Sequence, residues 1–197
     1  MAATDPEDSV VLVVDDEESV ADTYALRLRS EYETRVAYGG EEALELMDDD
    51  VDAVLLDRRM PDLHGDDVLA AIREEGYDCV VVMTTAVDPE LNILEMDFDD
   101  YLCKPIFQET LLSTLDQHLD TRGRGSRGND DLSEFFAVVS KLSVLEEERP
   151  RTELETSDEY ADLRQRAEEL GSRLRETVDD FEDLYESVER FGGRVVF

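Results

Sequence analysis

The 197-residue chain has no tryptophan, two cysteines, two histidines and, among 19 basic residues, only two lysines. Cys79 and Cys103 stand in separate apolar runs, at neither metal-ligand nor disulfide-framework spacing. That excludes a zinc ribbon or disulfide scaffold and predicts free buried thiols in a reducing interior. No apolar run approaches the roughly 20 residues of a membrane span, and no basic start leads into one. A soluble, cytoplasmic protein without membrane partners is expected. Positive charge is scarce throughout: the net charge is −34, with −26 over residues 1–120 and −8 over 121–197. Such a surface opposes general nucleic-acid binding, which needs Lys and Arg on phosphates. It suits molar salt, where the Debye length falls to ~3 Å, and resembles that of a salt-adapted, halophilic protein, an acidic mesophilic protein being the alternative.

What the chain does have is alternation. Residues 1–9 form a polar lead-in containing Pro6. Buried-strand runs follow at Val10–Val14, Thr34–Tyr38, Ala53–Leu56, Cys79–Thr84 and Asp99–Cys103. Between and after them, helical spacing appears over 20–30, 41–47, 66–75, 89–94 and 107–119. Five strands alternating with five helices predict an α/β fold, a doubly wound parallel sheet over residues 10–120 with helices on both faces. TRGRGSRG, within 121–130, reads as a flexible, locally basic linker. Residues 131–197 change period. Leu132, Phe135, Phe136, Val139, Leu142 and Leu145 make one helical stripe, which Pro150 ends. Thr156 and Glu159 have capping-box spacing. From Tyr160 a heptad seam runs through Ala167, Leu174, Phe181 and Val188, with Leu163, Leu170, Thr177, Leu184 and Phe191 beside it. A long helix of roughly 50 Å is expected, packed as a hairpin on the 132–145 helix, on a second copy, or on a partner.

Chemistry gathers at strand ends. In open α/β sheets the reactive crevice lies outside the carboxyl ends of the strands. Asp57 ends the central run VDAVLLD, and Asp15 and Asp16 end the first. Three carboxylates in one crevice call for a cation, and an all-oxygen set suits Mg²⁺; the alternative is that Asp15 and Asp16 cap the following helix. Thr85 follows the fourth strand and Lys104 the fifth. A hydroxyl and an ammonium there complete a set that can hold phosphoryl oxygens. Pro105 leaves the isomer of the Lys104 peptide bond open. His64 and His118 are expected at the surface.

VVDDE at 13–17, LLDRRMPDLHG at 55–65, TTA at 84–86 and DDYLCKP at 99–105 together resemble the receiver domain of two-component response regulators. The resemblance covers about residues 10–120. It implies a flavodoxin-like five-stranded sheet in the order 2-1-3-4-5, with Asp57 accepting phosphate from a sensor histidine kinase. It further implies Mg²⁺ on Asp15, Asp16, Asp57 and the Arg59 carbonyl, Lys104 on the phosphoryl group, and Thr85 with Tyr101 as the switch pair. Such a protein is a phosphoacceptor switch and not an enzyme beyond self-phosphotransfer and slow autodephosphorylation. Two features depart from the pattern: the Thr85-to-Lys104 interval is short, and Asp97 stands where Gly often precedes the last strand, so a reduced fourth helix is expected. Residues 131–197 resemble the HalX-type helical domain of haloarchaeal receivers.

Signalling through helix-mediated self-association, as a homodimer, or through partner binding is the leading expectation. Direct DNA binding by a transcription regulator would want a basic recognition helix, and the tail is acidic with long heptad helices. A haloacid-dehalogenase-like phosphatase would want a second acid two residues beyond Asp57, where Arg59 stands.

Overall fold

The computed structural model describes residues 9–86, 91–123, 127–178 and 181. In chain order they form β1 (Val10–Val14), α1 (Glu18–Leu28), β2 (Glu33–Ala37), α2 (Gly40–Leu46), β3 (Val51–Asp57), α3 (Gly65–Glu75), β4 (Val80–Thr85), a 3-10 turn (Leu91–Glu95), β5 (Asp100–Cys103), α4 (Gln108–Gly123), α5 (Arg127–Glu148), α6 (Arg151–Leu154) and α7 (Asp158–Thr177). The chain divides into two compact units, Met1–Val87 with Leu102–Gly123, and Asp88–Tyr101 with Arg124–Phe197.

The strands make one sheet in the expected order, β2-β1-β3-β4-β5. Parallel register sets Val13 beside Val36 and Leu55, and Asp57 beside Thr84. Every residue of β1 and β4 is buried. Continuous apolar runs produce this because successive side chains point to opposite faces and both faces are covered. Val11, Val13, Ala53, Leu55, Val80 and Val82 share a core with Tyr24 and Leu28 of α1 and Leu111 and Leu115 of α4. The alternate residues Leu12, Val54, Leu56, Val81 and Met83 are equally buried, while α2 packs on β1, β2 and α3. Gly76 stops α3 in the left-handed region, φ 82°, its N–H returning to Arg73 and Ile72 carbonyls.

The fourth helix is reduced, as the short interval predicts: among the described residues only the 3-10 turn Leu91–Glu95 stands there. This turn and the residues up to Tyr101 belong to the second unit, where the turn packs against α5 and α7. The stretch read as a linker is helical at both ends, since α4 runs to Gly123 and α5 starts at Arg127; interior Gly costs a helix only about 1 kcal/mol.

In the second unit α5 and α7 form the antiparallel hairpin. Tyr160, Arg166 and Arg173 meet Glu146, Glu134 and Asp131 respectively, so position rises along one helix as it falls along the other. Leu132, Phe135, Phe136, Val139, Leu142 and Leu145 are all buried, as are Tyr160, Ala167, Leu170, Leu174 and Phe181 of the heptad seam. Phe135 meets Phe181 edge-on, ring centroids 5.4 Å apart. The described helix is 20 residues, about 30 Å; Leu184, Val188 and Phe191 lie outside the described residues. The cap falls one residue later than the Thr156 expectation. Ser157 Oγ accepts the Tyr160 N–H at 3.1 Å, because the Thr156 hydroxyl is donated to the Glu153 carbonyl. Two further expectations are corrected: Cys103 is exposed, unlike Cys79, and His118 is buried. Cys103 ends a short strand of mixed burial, and His118 shares a helical face with Leu111 and Leu115.

Candidate functional site

Parallel strands bring their carboxyl ends to one edge, and the first unit gathers its acids there. Asp15 follows β1, with its N–H bonded to the Ala37 carbonyl and its side chain 2% exposed. Asp57 ends β3 and is 5% exposed. Lys104 is delivered by the end of β5, its own N–H tied to the Thr85 carbonyl at 2.7 Å. From there Nζ donates to Asp15 Oδ2 at 2.6 Å and to Asp57 Oδ1. One ammonium thus sits between two buried carboxylates. The Lys104–Pro105 peptide is cis.

The electrostatics follow from that arrangement. Burial pushes the Asp57 carboxyl up, against the pull of the Lys104 bond and charge and the Arg59 N–H; burial prevails. Lys104 is also desolvated, but its hydrogen bonds to Asp15 and Asp57 and their charges raise its pKa overall.

Asp57 is held by a tight loop. Arg59 N–H donates to Asp57 Oδ2 at 2.9 Å. Arg58 N–H donates to the Thr84 carbonyl, and the Arg58 carbonyl accepts from Gly65 N–H at 3.0 Å. His64 Nδ1 lies 3.1 Å from that same carbonyl oxygen. The Arg58 guanidinium, itself buried, grips Asp66 through Nε at 2.9 Å and Nη2 at 3.1 Å. Gly65 is required by space: a Cβ there would lie 2.3 Å from the Asp57 carbonyl oxygen and 2.8 Å from Arg58 Cα. The Arg58–Asp66 pair was not among the sequence candidates. Its signal was an arginine beside the strand-end acid and an acid at the start of the next helix.

Of the sequence candidates, Asp15, Asp57 and Lys104 meet directly. Thr85 is buried at the end of β4. Asp16 is exposed and, among the described residues, no three His, Cys, Asp or Glu side chains form a metal-holding group; the expected trio meets as a pair. Tyr101 is buried in the second unit, its ring 5.5 Å from that of Phe98. For a hard cation the donor chemistry fits: two oxygen-only side chains already share one positive point charge.

A doubly wound parallel sheet with a lysine-bridged acid pair at its carboxyl edge is the architecture of a receiver. The sequence matches the response regulator receiver domain over residues 11–116 and the HalX domain over 126–191. The chain belongs to the response regulator receiver family. It is 47% identical over 162 residues to a Haloferax volcanii protein provisionally named a transcriptional regulator, covering 82% of this chain and 27% of that one. The chain therefore spans about a quarter of that relative's length. The fold is similar to the CheY-like receiver domain protein of Methanospirillum hungatei, with TM-score 0.54 and 25% identity over 57% of this chain and 94% of that one. It is also similar to the BeF3-activated receiver domain of DrrB from Thermotoga maritima, with TM-score 0.53 and 25% identity over 57% of this chain and 97% of that one. Among the described residues no helix is long and apolar enough to cross a membrane.

Proposed function

We propose that this chain is a phosphoacceptor switch of a two-component relay, taking a phosphoryl group onto Asp57 from a phosphohistidine of a sensor kinase. The observation that carries the reading is the Asp15–Lys104–Asp57 cluster at the carboxyl edge of the sheet. An Asp57 oxygen forms the new P–O bond while the P–N bond breaks, its electron pair leaving with the imidazole nitrogen. Lys104 holds positive charge beside that oxygen, and the Arg59 N–H orients the carboxylate. Asp15, Asp16, Asp57 and the Arg59 carbonyl would hold Mg²⁺, which when bound neutralises phosphoryl oxygens. Thr85 and Tyr101 serve as the switch pair, and the signal leaves through the C-terminal helices by self-association or partner binding. No further enzymatic activity is assigned, and a cytoplasmic location accords with the expected kinase partner. The Haloferax relative's name favours a second reading, control of transcription; with a net charge of −8 over 121–197, that control would run through a protein partner.

The test is beryllofluoride binding with Mg²⁺ in molar salt, read with light-scattering mass. Wild type should bind the phosphoryl mimic and Asp57→Asn should not; binding by the variant overturns the acceptor assignment. A rise in mass on binding supports self-association, and an unchanged mass leaves partner binding as the output.

A further inference from the structure

The second lysine stands where no phosphate chemistry requires it. Lys141 lies in the C-terminal half of α5, 8% exposed. Its Nζ donates to the Met96 carbonyl and lies 4.8 Å from the centroid of the Phe98 ring, within cation–π range. Phe98 in turn packs on Tyr101, with rings tilted by 44°. The preceding residue of α5 adds a second grip: the Ser140 hydroxyl donates to Asp100 Oδ1, the same oxygen that accepts the Tyr101 N–H at 2.8 Å. Two consecutive helix residues thus hold the backbone and the rings of segment 96–101. Burial lowers the Lys141 pKa, against the charges of Asp97 and Asp99. An ammonium desolvated in this way contributes little to stability that an apolar side chain of similar volume would not. Its value lies in what it positions.

We propose that Lys141 is the positioning residue through which the HalX-type helices sense the phosphoacceptor site, by holding Phe98 and Tyr101 on the strand that runs on to Lys104. The path is continuous along the chain. Tyr101 lies in β5, three residues before the lysine that bridges Asp15 and Asp57. Any shift of β5 when Lys104 changes partner must either carry α5 with it or break the Lys141 contacts. Coupling of this kind is reciprocal: whatever the phosphoryl group does to the helices, the helices do to phosphoryl affinity. The inference rests on the reading of Asp57 as acceptor and Tyr101 as switch residue.

Hydrogen exchange on the full chain in molar salt with Mg²⁺, with and without beryllofluoride, tests it. In wild type the mimic should alter exchange in peptides around Asp57 and Lys104 and also shift protection in α5 and α7, by about fivefold or more for a coupling of ordinary size. Lys141→Met keeps the apolar stem and removes the charge. It should retain the response around Asp57 and lose that of the helices, while Lys141→Arg restores part of it. Phe98→Leu, which leaves the bond to the Met96 carbonyl, should also uncouple the helices and serves if Lys141→Met does not fold. An undiminished helix response in Lys141→Met and Phe98→Leu overturns the proposal, as does a wild type whose site responds while its helices do not. A wild type in which even the site peptides ignore the mimic refutes the receiver reading first, and this inference with it.

Discussion

Replacing Gly65 with alanine should unsettle the site without touching any reactive atom. The added Cβ would meet the Asp57 carbonyl oxygen at 2.3 Å, Arg58 Cα at 2.8 Å and the Asp57 carbonyl carbon at 3.1 Å. All three are backbone, so no flexible side chain can give way, and the loop or the start of α3 must move by about 1 Å to reach ordinary contact. Overpacking of this kind costs about 1–3 kcal/mol, a large share of a typical domain's ~5–15 kcal/mol. At about 4 °C per kcal/mol for a domain near 100 residues, Tm should fall by about 4–12 °C. The shift also pulls on the Gly65 N–H to Arg58 carbonyl bond, so mimic affinity should drop as well. Gly76→Ala is the control: its φ of 82° strains any side chain, yet nothing lies within 4 Å of the new Cβ. That variant should lose about 1–2 kcal/mol and keep mimic affinity. Thermal denaturation and mimic titration in molar salt decide it. If Gly65→Ala keeps wild-type Tm and affinity, the close approach of α3 to Asp57 is not as described.

Three further outcomes follow from the same geometry. Asp66→Ala removes two charge-assisted hydrogen bonds from the buried Arg58 guanidinium and should cost about 1.5–3 kcal/mol in denaturant unfolding; a loss within error would show the pair to be ornamental. The Tyr160 phenol, pushed up to about 12 chiefly by burial and then by its bond to Glu146, keeps its proton in the folded state to higher pH than in the unfolded one. Its contribution is therefore full below pH about 10 and lost as pH rises toward 12; spectroscopic titration should lose a component titrating near pH 12 in Tyr160→Phe. With a net charge of −34, Tm should rise from low to molar salt as self-repulsion is screened, and a flat salt dependence would remove the halophilic reading.

The sheet was legible in the sequence because continuous apolar runs have few alternatives: Val10–Val14 and Val80–Thr85 can be buried on both faces only as inner strands. The strand order and the roles proposed for Asp57 and Lys104 came through the resemblance, and the structure adds the shared ammonium. What escaped was decided by contacts between distant residues. No local pattern says that Asp16 turns outward while Asp15 turns in, or that Arg58 reaches forward to Asp66. The choice of Ser157 over Thr156 as cap is a local matter between adjacent hydroxyls: Thr156 turns back to the Glu153 carbonyl while Ser157 accepts the Tyr160 N–H. His118 was readable, since Leu111, Leu115 and His118 recur at i, i+4 and i+7. The assignment of residues 91–101 to the helical unit could not be read at all, because Lys141 and Met96 are 45 positions apart.

The central claim is that Asp57 is the acceptor, and intact-mass spectrometry after incubation with acetyl phosphate and Mg²⁺ in molar salt tests it most directly. Wild type should gain one phosphoryl group, labile in base as an acyl phosphate is, and peptide mapping should place it on Asp57. Asp57→Asn should gain none. A phosphoryl group that persists on the Asp57→Asn chain, or that maps in wild type to another residue, would contradict the account.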